Sequence, residues 1–268
     1  MMIGQNKLRH LIGRGTMPLS PDELRREENI FFVGGNLPAR ETLETLFDSH
    51  CQAPADLFHL TFGDLDSFHR GEELARVIKK NFSAHLVGRL DYPAPSYVIE
   101  RAYAAGVDII DIPLTVFDRA LSREQGLAMD ERLRTLDAAL SIFPRGSVVS
   151  TLVAGEESPC STVAGIGSLL AAGVIPLVTV STRADHYPAE DIAALFSYLD
   201  AGWKKHRVTV KPLLPLIYLT TPLVPTAPRG VVRGFIDKLH DRRLLAASDL
   251  RRSLRVKHVE ESFESAGL

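Results

Sequence analysis

From Gly106 to Arg183 the chain reads GVDIIDIPLTVFD, then a polar helical stretch, then GSVVSTLVAGEES, STVAGIGSLLAAG and VIPLVTVSTR. Three short β-rich runs alternate here with helical patterns, and each helix ends in glycine just before the next run begins. Glycine takes the left-handed conformation cheaply at a helix end, and an apolar run of about five to eight residues suits a buried parallel strand. Such βαβ punctuation demands a parallel sheet. Because successive crossovers share one hand, the units either curl into a barrel or spread as a doubly wound sheet, and in both cases ligands collect beyond the carboxyl ends of the strands. Chemistry is therefore expected at Asp111 to Thr115, Gly155 to Ser158 and Ser181 to Asp185.

The same alternation extends upstream. Asn29 to Leu37 reads as a first strand, Ala39 to Ser49 as a helix, LFHLTFGD (57 to 64) as a second strand, Gly71 to Asn81 as a helix, and SAHLVGRLD (83 to 91) as a third strand followed by a helix through Ala105. The count reaches about six strands between residues 30 and 205. Before them, Lys7 to Ile12 reads as a short helix, and Ser20-Pro21-Asp22-Glu23 as the start of another, with Ser20 at the N-cap and Pro21 at the first helical position. After them, Val208 to Pro228 is apolar but carries five prolines, a density that argues for an extended segment rather than a membrane helix. Arg229 to His258 reads as basic amphipathic helices, with solvated charged faces, facing an anionic partner, or forming a mobile or membrane-docking tail.

Strand alternation picks out a polar phase: His59, Thr61, Gly63; His85, Val87, Arg89; Ile109, Asp111; Val149, Thr151, Val153; and Leu177, Thr179, Ser181, Arg183. The other phase, with Phe58, Leu60, Phe62, Leu86, Ile110, Ile112, Leu152, Val178 and Val180, would pack under the outer helices. The polar phase would then line a channel whose rim carries Asn36, Asp64, Arg89, Asp111 and Arg183. Asn36, His59, His85, Arg89, Ser181 and Arg183 become candidate substrate contacts; the alternative is that these groups only satisfy one another's burial.

Several chemistries lack their motif. There is no GxxxxGK[ST] loop, no GxSxG elbow and no HExxH, and no lysine ends a candidate strand, which disfavours a Schiff-base aldolase. A net charge of −2 gives no whole-protein attraction to nucleic acid, and the N-terminal stretch lacks the apolar core of a signal peptide, so a cytoplasmic protein without a membrane span is expected. Only Cys51 and Cys160 are present, which suits a reducing compartment and excludes a four-cysteine zinc site.

The run LSIFPRGSVVSTLVAGEESPCSTVAGIGSLLAAGVIPLV resembles the fifth and sixth strand units of radical S-adenosylmethionine enzymes of the biotin-synthase-like kind, where a VVGLEP-type turn precedes a helix and a GVIP strand. LTFGDLDSFHRGEELARVIKK is similar to their second strand with its GGE-type turn, and GVDIIDIPLTVFD to their fourth. The likeness covers roughly residues 30 to 183. It implies a partial six-unit barrel, S-adenosylmethionine across the strand ends, and a four-iron cluster held by three cysteines after the first strand. Carried over position by position, Gly63 and Asp64 match the turn that holds the methionine ammonium, with Phe62 in place of a glycine. Gly155 and Glu157 match the VVGLEP-type turn, with Ser158 in place of its proline, and Asp111 or Thr115 would meet ribose hydroxyls.

The chain departs from that family where the cluster should be. GGNLPARETLETLFDSH contains no cysteine, and no third thiolate exists anywhere, so a four-iron cluster on this chain alone is not expected and no metal ligands are assigned. An unconventional set of His50, Cys51 and His59 is a weak substitute. The fold class expected is α/β: a TIM-barrel-like partial (β/α)6 parallel barrel over 30–207, a helical lead-in over 1–29, and a C-terminal extension over 208–268. Two functions stay open. One is a cluster-less barrel binding a small polar ligand, S-adenosylmethionine being the candidate, as a non-radical enzyme or an accessory subunit to an intact radical S-adenosylmethionine protein. The other is an acid/base or metal-dependent lyase using His59, His85, Asp64 and Asp111.

Overall fold

A computed structural model describes residues 1–16, 19–226 and residue 252. The elements run β1 (Met2–Ile3), α1 (Gln5–Arg14), β2 (Leu24–Glu27), β3 (Ile30–Gly34), α2 (Ala39–Gln52), β4 (Leu57–Thr61), α3 (Phe68–Asn81), β5 (His85–Arg89), α4 (Ser96–Ala104) and β6 (Ile109–Asp111). They continue with α5 (Arg119–Glu124), α6 (Met129–Ile142), β7 (Val148–Ala154), α7 (Pro159–Ala172), β8 (Ile175–Val180), a 3-10 turn (Thr182–His186), α8 (Ala189–Lys205), α9 (Leu214–Thr220) and β9 (Leu223–Val224).

Strands β3 to β8 lie side by side in sequence order, every neighbouring pair parallel, and β2 adds one antiparallel strand at the β3 edge. A doubly wound sheet reverses its strand order at a switch point. This one never reverses, so it is a barrel wall, curled and left open: a half-barrel of seven strands. The six parallel strands match the expected six units. Gly173 ends α7 with φ +83, the left-handed cap that lets Val174 turn back into β8.

The two phases of the strands separate as alternation predicts. Phe31 and Phe58 stack at 5.3 Å on the helix side, where Phe58 also meets Phe82 at the end of α3, and Phe62 stacks on Phe68 of α3 at 4.8 Å. The register puts Gly34, Thr61, Arg89, Asp111 and Val149 in one row across the other face, with Phe32, His59, Val87 and Ile109 in the row beneath.

Two expectations are corrected. Residues 20–27 form no helix: Ser20 Oγ accepts the Asp22 N–H in a local turn, and Leu24–Glu27 is β2. Proline followed by two acids imitates the first turn of a helix, but the exposed edge of β3 needed backbone partners. Arg25 and Arg26 then stack on Phe32 and Phe31 across the strand pair, each 4.8 Å from the ring centre. The Pro-rich segment is not simply extended either. Pro212 and Pro215 sit in first-turn positions, where a missing N–H costs nothing, and they open the 3-10 turn Lys211–Leu213 and α9. β9 then pairs antiparallel with β1. Apart from Arg252, the expected basic helices after residue 228 lie outside the described residues.

Candidate functional site

The strand-end row holds a buried charged group that is only half-satisfied. Asp111, the last residue of β6, is buried; its Oδ2 accepts from Arg89 at 3.1 Å and from Thr151 Oγ1 at 2.9 Å, while its Oδ1 has no partner among the described residues. Burial raises its pKa above the ordinary carboxylate value, against the opposing pull of Arg89 and Thr151. Arg89 also grips Asp91 at 2.7 Å. Above this group, Arg132 of α6 donates to the carbonyls of Pro113 and Asp91, fixing both strand-end loops.

His59 stands one row below Thr61, fully enclosed, its ring against Phe32 and its Nδ1 without a partner among the described residues. Burial, then the nearby Arg89 charge, lowers its pKa to about 3, so the imidazole is neutral across the physiological range. His85 is buried another row down, beside Leu57, away from the rim. Thus His59, Arg89 and Asp111 share one neighbourhood, as the polar phase implied, and His85 belongs to the floor.

The remaining candidates fall into separate clusters. Glu157 is turned inward: Oε2 accepts from the N–H groups of Phe117 and Asp118 and from Ser161 Oγ, and Oε1 from Thr162 Oγ1 at 3.2 Å. Its carboxylate pins the loop after β6 to the start of α7. Its neighbour Glu156 is the one that reaches the rim, holding Ser181 Oγ at 2.5 Å and Arg183 at 2.7 Å. Gly155 is a close-packing position for the 3-10 turn, since a Cβ there would come within 2.6 Å of Ala184. Gly63 likewise faces Asn36 and Ser67 rather than open space, and exposed Asp64 accepts the Ser67 N–H and hydroxyl, which lowers its pKa.

Thr115 continues the ladder past β6, its N–H on Thr151 O and its C=O receiving Val153 N–H, and it does so at φ +69. A β-branched residue in the left-handed region is strained, and such strain collects where surrounding contacts over-determine the backbone. Here the contacts are Arg132 on Pro113 and Glu157 on Phe117 and Asp118.

No family model matches the sequence, and no curated protein matches it. Among solved structures, methylornithine synthase (PylB) is similar over 61% of this chain at 14% identity and TM-score 0.48. The chain spans about half (53%) of that protein's length. Dihydropteroate synthase from Stenotrophomonas maltophilia, with active site-bound imidazole, is similar over 69% of this chain and 90% of its own at 15% identity and TM-score 0.34. The half-barrel assignment rests on the chain's own strand order.

The donor set for a four-iron cluster does not fit. The two cysteines of the whole chain are exposed on different helices, Cys51 on α2 and Cys160 on α7, and the described residues hold no group of three metal-ligating side chains. The contacts expected for S-adenosylmethionine fit in part. Asp111 Oδ1 has no partner among the described residues and Asp64 is exposed, whereas Glu157 and Gly155 are engaged in packing and hydrogen bonds of the fold.

Sequence reasoning missed Arg132, Asp91 and Glu156. Arg132 lies in MDERLRTLD, where an inward-facing arginine looks like any solvated charge. Glu156 was passed over for its neighbour because the choice between adjacent acids depends on how one turn rotates.

Proposed function

We propose that this chain binds a small polar ligand at the strand-end group Arg89–Asp111–Thr151 and works without a cluster of its own, as a non-radical enzyme or an accessory subunit. The single observation supporting this reading is the bare Oδ1 of a buried carboxylate at a strand end, where parallel barrels bind their ligands. A carboxyl whose pKa is raised can donate its proton to a ligand oxygen or, ionised, accept a ligand N–H; Arg89 and Thr151 fix its orientation. Asp64 on the neighbouring loop offers a second, exposed acceptor.

S-adenosylmethionine is the first ligand to test. Calorimetry with it and with S-adenosylhomocysteine should show wild-type binding weakened about tenfold or more by Asp111→Ala, the scale of a lost hydrogen bond to a charged group. Absence of wild-type binding up to millimolar concentration removes the nucleoside reading. Native mass spectrometry of the purified chain then asks whether another small molecule co-purifies, and a pull-down that brings a cluster-bearing protein supports the accessory role.

A second reading, acid/base lyase chemistry, is favoured by His59 and Asp111 together. A neutral imidazole whose Nδ1 has no partner among the described residues can accept a proton from one atom of a ligand while the Asp111 carboxyl, in its protonated form, gives its own proton to another atom of that ligand. A substrate screen in which His59→Gln and Asp111→Asn each abolish turnover, while ligand binding persists in His59→Gln, would favour this reading over a non-catalytic one.

A further inference from the structure

A cavity away from the strand-end row lies on the loop side of the sheet. It measures about 380 Å³ and lies between α5 and the first turns of α6, in the loop that carries the chain from β6 to α6. That loop is on the carboxyl-end side of the sheet, where functional loops of parallel barrels gather. α5 supplies Arg119 and Arg123, α6 supplies Arg134, and Leu127 and Met129 form an apolar wall.

The charges of this cavity are unevenly matched. Arg119 meets Asp130 at 3.3 Å, but both side chains are nearly two-thirds exposed, and an ion pair so solvated holds weakly and can open. Arg123 and Arg134 have no carboxylate partner among the described residues. Glu131 is the other acid in the lining, so three guanidinium groups face two carboxylates. Guanidinium groups bind planar or tetrahedral oxyanions through paired N–H donors, and two of them converging on one space favour a dianion over a monoanion.

We propose that this cavity is a second binding site, one that takes the phosphoryl group of a small molecule, with Arg123 and Arg134 as its contacts and Leu127 and Met129 against the organic part. It is independent of the strand-end row.

Phenyl phosphate, which combines a dianion with an apolar stem, is the probe, and inorganic phosphate and phenol supply its two halves separately. Titration by NMR or calorimetry at low ionic strength should show phenyl phosphate binding more tightly than either half. The double variant Arg123→Ala/Arg134→Ala should weaken it about tenfold or more, and Arg134→Lys less, because a point charge replaces a paired donor. Arg145→Ala removes an exposed arginine elsewhere and should leave binding within about twofold. The exposed positions of Arg123 and Arg134 make misfolding checkable by a thermal melt that should not move. No binding of phenyl phosphate at about 10 mM, a scale far weaker than most specific ligands reach, overturns the proposal. So does a loss in Arg145→Ala equal to that in the double variant, which would mean only diffuse charge.

Discussion

Asp111 and His59 sit two strands apart on one face and push stability in opposite directions as pH changes. His59 has a folded-state pKa of about 3 against 6.5 when unfolded, so between those values the unfolded chain holds the extra proton and stability falls as pH is lowered. If the whole shift is expressed, the loss approaches about 4 to 5 kcal/mol. Asp111 has a raised folded-state pKa, so from its ordinary value of 3.8 upward the native state holds the extra proton and stability falls as pH rises toward the raised value. Urea melts across pH 3 to 8 should therefore show His59→Leu flattening the acid limb and Asp111→Asn removing the opposing slope; an unchanged acid limb in His59→Leu contradicts the buried neutral imidazole. Glu157 makes a different prediction. Glu157→Ala leaves the Phe117 and Asp118 N–H groups without their acceptor and should cost about 3 kcal/mol in a denaturant melt, a value near zero showing that solvent replaces the carboxylate.

At the scale of elements, β8 ends the sheet by side-chain chemistry rather than by another strand. Ser181 N–H points to Ala154 O of β7, so alternate residues Pro176 and Val180 turn their backbone groups outward. The Pro176 carbonyl accepts from Trp203 Nε1 at 3.1 Å, and the Val180 carbonyl from the Thr16 N–H and hydroxyl. Trp203→Phe keeps an aromatic ring but loses the indole N–H and part of its buried volume, orphaning the Pro176 carbonyl, and thermal unfolding should register a loss of about 2 kcal/mol; an unshifted melt means that water reaches that edge. The six parallel strands were legible because apolar runs alternate with helical patterns along the chain, with Gly106, Gly146 and Gly173 marking the turns into the last three. β2 was not, because its reason for existing is the neighbouring edge of β3, a demand no local pattern records. α9 was missed for a related reason: prolines that break a helix interior are neutral in a first turn, and only the position of the turn tells the two apart. The site followed the same division. Alternation along single strands put Arg89, Asp111 and Thr151 on one face, while Arg132 reaches the loop carbonyls of Pro113 and Asp91, and Glu156 reaches Ser181 and Arg183, through helix and loop rotations that periodicity does not encode.

For the whole molecule, seven strands joined in sequence order put the most enclosed backbone in the middle of the sheet and the least at its margins. Hydrogen exchange should be slowest in β4 to β7 and fastest in β1, β2 and β9, whose pairings are short or marginal; equal protection of β2 and β5 would mean that the sheet opens only as one unit. An open half-barrel also has two places where a foreign strand could be accepted. At β8 that invitation is narrowed: Pro176 carries no N–H to offer there, and the carbonyls of Pro176 and Val180 are already taken by Trp203 and Thr16. Anyone wishing to extend this sheet toward a closed eight-stranded ring must therefore begin by undoing that seal, replacing Pro176 and withdrawing Trp203, before any added unit has backbone to grow on.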